Sequence, residues 1–273
     1  MKNLFILVFS LCLGLASSAQ TKRAAILVTH YGSSDTLARE QALDIITKEI
    51  KEAYPNYEVR EAYISPIVRK KLRNSGIHKD SPLDALLKLR SEGYKNIYLQ
   101  STTLIEGNEM QSVRQDVEKV KSFFDQIKVG EPLLFTTDDC DSVINILLRD
   151  KSETKHDYIY IGHGNKMPST ATYAMLDYMI KSRGIKNYHV STIEGYPTIE
   201  TTIQQLKETY PKRVTLIPLL LVNGNHTKED IAIIWKKELE HLGYKVDIIM
   251  RGLGENPLIR KLYINHIKKI LSY

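Results

Sequence analysis

The chain carries only two cysteines in 273 residues. One of them, Cys12, lies in an N-terminal apolar run, so Cys140 alone would remain once that run is removed. A single thiol excludes an intramolecular disulfide framework, whatever the redox compartment. Three glycine-dependent signatures are also missing. There is no Walker-type phosphate loop, no Gly-x-Gly-x-x-Gly dinucleotide fingerprint and no Gly-x-Ser-x-Gly nucleophile elbow. No nucleotide cofactor and no serine-hydrolase chemistry is therefore expected. Basic runs such as Arg69-Lys70-Lys71 and Lys236-Lys237 lack interleaved aromatics, which argues against a nucleic-acid partner. Beyond the N-terminal run there is no second long apolar stretch, so no integral membrane segment is expected in the mature chain.

What is present begins with a leader. Met1-Lys2-Asn3 is a short basic start, Leu4 to Ala16 is apolar, and Ser17-Ser18-Ala19 places small residues before Gln20. This is the pattern of a secretory signal peptide over residues 1–19 and predicts an exported, periplasmic protein. The remaining residues 20–273 suffice to bury a sizeable core without covalent staples. Lys and Arg number 38 against 32 Asp and Glu, a net charge of +6 that includes Lys2 of the leader. That modest excess suits solvated helix faces and can attract an acidic small molecule.

Strand and helix patterns alternate along the mature chain. Ala24 to Val28 reads as a buried strand and leads into Thr29-His30-Tyr31-Gly32; Leu37 to Ile50 has helical spacing and stops at Pro55-Asn56. Strands follow at Tyr57–Ile64 and Asn96–Ser101, the first trailed by two helices with a start at Ser81-Pro82, the second by a helix over Gln111–Phe124. From about Lys128 the order repeats, with a strand or linker at Glu131–Leu134, a helix over Asp139–Leu148 and the strand Tyr158-Ile159-Tyr160-Ile161 ending at Gly162-His163-Gly164. Further strands are predicted at Tyr188–Ile193, Arg213–Leu220 and Val246–Met250, and a last helix over Ile259–Leu271. Alternation of this kind predicts an α/β fold with parallel sheets.

The halves resemble each other. His30 and Glu61 are 31 residues apart, as are His163 and Glu194, and Leu104–Glu109 matches Leu221–His226. The reading is an internal duplication: two similar doubly wound lobes, residues 20–127 and residues 128–273. Ligands of open α/β sheets bind at the carboxyl ends of strands, where His163, Glu194 and His226 are all expected. Two imidazoles and a carboxylate suit a divalent transition metal with one position open, and they can move protons near neutral pH. Singly, each histidine is better explained by a turn hydrogen bond and the glutamate by a helix start or a surface position; the convergence of all three favours function. His30, Glu61 and Glu109 are expected on the opposite wall of a cleft between the lobes. His189 reads as structural, and His78, His156, His241 and His266 as surface residues.

Five segments together resemble a known family: Thr29-His30-Tyr31-Gly32, Gly162-His163-Gly164, Glu194-Gly195-Tyr196-Pro197, Leu221–His226 and Gly252–Pro257. The chain is similar to the anaerobic sirohydrochlorin cobaltochelatases of the class II chelatase superfamily, from about Lys22 to Leu271. The resemblance implies a tetrapyrrole cleft between the lobes, with the carboxyl-rich macrocycle as the small-molecule partner. Co2+, or Fe2+, is then the substrate metal. His163, Glu194 and His226 become the metal-binding and catalytic residues, and His30, Tyr31 and Glu109 the substrate-binding wall. Where the family often has a His and a Pro-Gly-Glu-Glu run after the third strand, this chain has Gln100–Glu109, which keeps only the last glutamate. A non-enzymatic alternative is a periplasmic binder of haem, another tetrapyrrole or the metal itself. A homo-oligomer is compatible with the sequence and is not specified by it.

Overall fold

The computed structural model describes residues 23–149, 155–224 and 230–272. The expected leader, residues 1–19, lies outside them. Two four-stranded parallel sheets form the frame. In the first, β1 (Ala24–His30) is flanked by β2 (Glu58–Tyr63) and β3 (Asn96–Ser101), and β4 (Gln126–Val129) forms the edge beyond β3, giving the order β2-β1-β3-β4. In the second, β5 (His156–Gly162), β6 (Tyr188–Thr192), β7 (Arg213–Pro218) and β8 (Lys245–Ile248) take the corresponding order β6-β5-β7-β8. The expected α/β class and pair of similar lobes are what the chain forms.

Side-chain alternation on the central strands decides what packs on each face. On β1, Ala25 and Leu27 join a cluster with helices α3 (Pro82–Ser91) and α4 (Asn108–Val120), through Leu86, Leu89, Val113 and Val117. Ile26 and Val28 face the other way, onto Ile46 and Ile50 of α1 (Ile45–Ala53). On β5, Tyr158 and Tyr160 meet α5 (Thr137–Leu147) and α6 (Ala171–Ser182), whereas Ile159 and Ile161 meet Leu206 of α7 (Ile199–Thr209) and Trp235. Each fully buried aliphatic contributes roughly 1.5–3 kcal/mol of transfer free energy. Helix starts follow local chemistry: Ser65 caps α2 (Pro66–Asn74) by accepting from Val68 N–H, Ser81 and Asp84 form a capping box ahead of α3, and Thr136 and Asp139 form one ahead of α5.

Three expectations shift. β4 pairs with β3 from Asn96↔Gln126 to Leu99↔Val129, so the first sheet extends past residue 127. Of the strand or linker expected at Glu131–Leu134, the linker forms: its residues fold back, Leu133 and Leu134 donating to the carbonyls of Thr103 and Leu104. The last helix, α8 (Pro257–Ser272), counted above with the second lobe, instead bridges both. Its Ile259 and Tyr263 enter the second-lobe cluster, while Ile267 enters the β1–α1 cluster. Arg260 pairs with Glu49 at 2.8 Å, and Tyr54 Oη donates to Ile264 O. Among the described residues no helix is long and apolar enough to cross a membrane.

Candidate functional site at the carboxyl ends of the strands

β5 lies between β6 and β7, so connections leave it to opposite sides and open a crevice at its carboxyl end. The strand is buried along its whole length, yet His163, one residue beyond it, is exposed. Glu194 emerges beside it, two residues past β6, and is also exposed. Their main chains are joined: Glu194 N–H donates to His163 O at 2.7 Å, and Ile193 N–H to Gly162 O at 3.0 Å. The two expected site residues are therefore brought together at one crevice.

Small residues make this approach feasible. Gly164 has φ +76°, and a Cβ there would overlap the carbonyl oxygen of Glu194. Only glycine meets both demands without strain. A Cβ on Gly162 would overlap the Tyr173 ring, so that ring forms the floor. Beyond Gly164, Asn165 Oδ1 accepts from Met167 N–H (2.8 Å) and Asn165 Nδ2 donates to Ser169 Oγ (3.2 Å), which folds the loop back on itself.

The first lobe reaches the same place through Glu109, on the first turn of α4. A Cβ at Gly107 would lie 3.2 Å from Asn165 Nδ2 and 3.3 Å from Glu109 Oε2, so the loops of the two lobes meet here. Burial pushes the Tyr173 hydroxyl up to about 12; its hydrogen bond with the Gly164 main chain opposes this, and the Glu109 charge adds to it. Tyr31 stands exposed at the end of β1.

His226 lies outside the described residues. The loop that leads to it is anchored from below: Leu253 and Gly254 donate to the carbonyls of Leu220 and Leu221, and Asn223 Nδ2 donates to Met250 O. Among the described residues no group of three His, Cys, Asp or Glu side chains is placed to hold a metal ion.

The first-lobe histidine behaves differently from its counterpart. His30 is fully buried, with Nδ1 bonded to Thr102 Oγ1 and Nε2 to Thr47 Oγ1, both at 2.9 Å. It presents no surface to a substrate, because both ring nitrogens are occupied inside the lobe. Burial drives its pKa down to about 4; Glu61 opposes that shift and Lys79 adds to it. Glu61 is likewise engaged, with Thr47 and with the Lys79 ammonium, which lies 5.1 Å from the Tyr63 ring centroid.

The shared 31-residue spacing does not translate into a structural equivalence. The residue whose N–H reaches His30 O, as Glu194 N–H reaches His163 O, is Ile64. Glu61 sits three places earlier, in β2 opposite Val28.

Two histidines expected on the surface are buried. His156 bonds Thr215 Oγ1 through Nε2 (2.7 Å), and His266 meets Asp139 Oδ1 (3.1 Å) and Glu131 O (3.2 Å). His189 is structural as expected, with Nε2 on Asp157 (2.8 Å) and Nδ1 on Gln205 (2.7 Å).

A family model described as cobalt chelatase (CbiK) matches residues 24–272. The sirohydrochlorin cobaltochelatase of Salmonella typhimurium is 29% identical over 257 residues, spanning 92% of this chain and 97% of its own. The sirohydrochlorin cobaltochelatase CbiKC of Nitratidesulfovibrio vulgaris is 29% identical over 259 residues, spanning 92% and 91%. In fold, the chain is similar to a solved structure of SirB from Bacillus subtilis with Fe3+. The TM-score is 0.67 at 13% identity, over 91% of this chain and 95% of that one.

Proposed function

The chain belongs to the cobalt chelatase family and is a metal chelatase; from that premise we propose that it inserts Co2+ into sirohydrochlorin or a closely related tetrapyrrole, with Fe2+ as the other metal it would accept. His163, Glu194 and His226 are the proposed metal-handling groups, and residues 1–19 the proposed export signal. Tyr31 and Glu109 are the proposed substrate contacts. One observation carries the site assignment: His163 and Glu194 stand exposed side by side at the crevice of the second sheet, while Glu109 of the first lobe closes on the same loop.

Insertion exchanges two pyrrole N–H protons for one divalent ion, so the protein must present a metal and remove protons at the same face of the ring. A neutral imidazole at His163 can do either, since its lone pair binds a metal or accepts a proton. The carboxylate of Glu194 offsets the incoming positive charge and is a second proton acceptor. Their joined main chains hold both groups at one face. The affinity order of such ligands does not separate cobalt from iron, so metal choice rests on supply and on geometry.

The test is anaerobic. Purified protein, sirohydrochlorin and Co2+ should give the absorbance change of metal insertion. His163→Ala and Glu194→Gln should each slow it by roughly 100-fold or more, the scale of lost proton-transfer catalysis. Wild-type rates in both variants would remove the assignment.

A further inference from the structure

Asn165 stands where three segments of the site meet. It follows Gly164 in the loop that carries His163. Its main chain lies against the turn that carries Glu194: a Cβ on Gly195, at φ +148°, would come within 3.1 Å of Asn165 O and 3.3 Å of Asn165 N. Its side chain reaches the first lobe. A Cβ on Gly107, the residue that caps α4, would lie 3.2 Å from Asn165 Nδ2 and 3.3 Å from Glu109 Oε2. The amide of one lobe and the carboxylate of the other therefore border one methyl-sized space beside a buried glycine.

The two ends of the Asn165 amide do different things. Oδ1 accepts from Met167 N–H at 2.8 Å, a local turn that folds the loop. Nδ2 carries two hydrogens, and Ser169 Oγ, at 3.2 Å, takes one. The other belongs to the atom that borders Glu109. Both side chains are half-buried, and in such surroundings an N–H donor to a carboxylate makes a strong hydrogen bond. No hydrogen bond joins the pair in this structure; the space beside Gly107 separates them. That glycine is not required by its backbone, which is extended at φ −98° and open to other residues. What a side chain there would obstruct is the approach of the amide to the carboxylate.

We propose that Asn165 is a positioning residue for metal insertion: its Nδ2 donates to the Glu109 carboxylate when the tetrapyrrole occupies the cleft, and so holds the first-lobe wall in register with His163 and Glu194. This rests on Glu109 as a tetrapyrrole contact, as proposed above. A macrocycle seated against Glu109 is then fixed relative to the metal-handling groups by one amide, whose main chain already leans on the Glu194 turn. Because the amide acts through Glu109, its loss falls on tetrapyrrole binding rather than on the handling of the metal.

The experiment separates this tether from loop folding. Full-length wild type, Asn165→Asp, Gly107→Ala, Glu109→Gln and the double variant Asn165→Asp/Glu109→Gln are assayed for anaerobic Co2+ insertion into sirohydrochlorin, with kcat and the KM of each substrate. Asn165→Asp keeps the acceptor for Met167 N–H and replaces the donor with a charge that repels Glu109. Gly107→Ala leaves Asn165 intact and wedges a methyl between the partners, so it decides the matter should Asn165→Asp fail to fold in a thermal melt. Each should raise the KM for sirohydrochlorin about tenfold, the scale of one charge-assisted hydrogen bond, with kcat and the KM for Co2+ within about twofold of wild type. Glu109→Gln should raise the same KM. In that background Asn165→Asp should add less than about twofold, because the amide now at position 109 can donate to the new carboxylate and restores the pair with its roles exchanged. Additive losses in the double variant, or a loss that falls on kcat alone, would show that Asn165 only folds its loop. A wild-type KM in both Asn165→Asp and Gly107→Ala would show no role. Any of these overturns the proposal. A wild type that inserts no metal overturns the tetrapyrrole reading itself, and this role with it.

Discussion

The main-chain N–H of Glu194 donates to the carbonyl oxygen of His163 across 2.7 Å, so two chemically active side chains leave adjacent strand ends from a shared base. Their relative position is set by backbone geometry, which is stiffer than any side-chain contact. Gly164 is what permits it.

Gly164→Ala should therefore damage the site out of proportion to its cost in stability. The residue sits at φ +76°, and the new methyl would overlap Glu194 O, so strands β5 and β6 must part. Gly184→Ala is the matched control: φ is +77°, and a Cβ there has nothing within 4 Å. Both should lose about 1 kcal/mol or more from left-handed strain. Only Gly164→Ala should also lose insertion activity, by at least tenfold. Chemical denaturation and the insertion assay measure the two effects separately.

His30 gives the protein a pH-dependent stability unrelated to its chemistry. Burial lowers its pKa from 6.5 to about 4, so between those values the unfolded chain binds a proton that the folded chain refuses. Stability is unaffected by this group above pH 6.5 and falls as pH drops through the window, by roughly 3 kcal/mol in all. Glu61, whose ionisation burial opposes but His30 and Lys79 favour more strongly, stays below its ordinary range, so its own contribution fades only at lower pH. Melts from pH 7 to pH 4 should show the Tm falling by several degrees. His30→Gln should start less stable at pH 7 and show a flatter profile.

His30 also marks where sequence reasoning stops. The strand ending in Gly162-His163-Gly164 was legible because an apolar run, a histidine and two glycines are all local signals. The helix at Ser81-Pro82 was legible for the same reason. The depth of His30, His156 and His266 was not, because their partners Thr102, Thr215 and Asp139 are 72, 59 and 127 residues away. The equal spacing of His30–Glu61 and His163–Glu194 was a coincidence of loop lengths that strand register undoes. β4 carries little sequence signal, because Gln126-Ile127-Lys128-Val129 is a short edge strand with two apolar residues.

Cys140 should be silent in the folded protein. It is fully buried on α5, and burial, with Asp139 and Asp141 adding, pushes its thiol up to about 11. Thiolate is the reactive form, so an alkylating reagent at pH 8 should leave Cys140 unmodified for hours in buffer and modify it within minutes in denaturant. Peptide mapping reads the site directly. Rapid labelling of the native protein would mean that α5 opens far more readily than its packing suggests.

The C-terminal helix α8 should make the two lobes melt as one. Tyr263 Oη donates to Thr102 O (2.9 Å), the same residue whose hydroxyl holds His30, while His266 and Lys269 both reach Asp139 on α5. Tyr263→Phe leaves a buried carbonyl short of a donor at about 1–2 kcal/mol, which lowers the Tm by a few degrees in a chain of this size. Asp139→Asn keeps the cap on α5 but removes the charge facing His266 and Lys269, at a similar cost. Each single variant should still unfold in one calorimetric transition. The double variant loosens the helix from both sides at once, and its endotherm should broaden or split into two, with a van't Hoff enthalpy well below the calorimetric one. A sharp single transition in the double variant would mean that the lobes are coupled by the loops around Gly107 and Asn165 and by the Leu253–Gly254 anchor rather than by the helix.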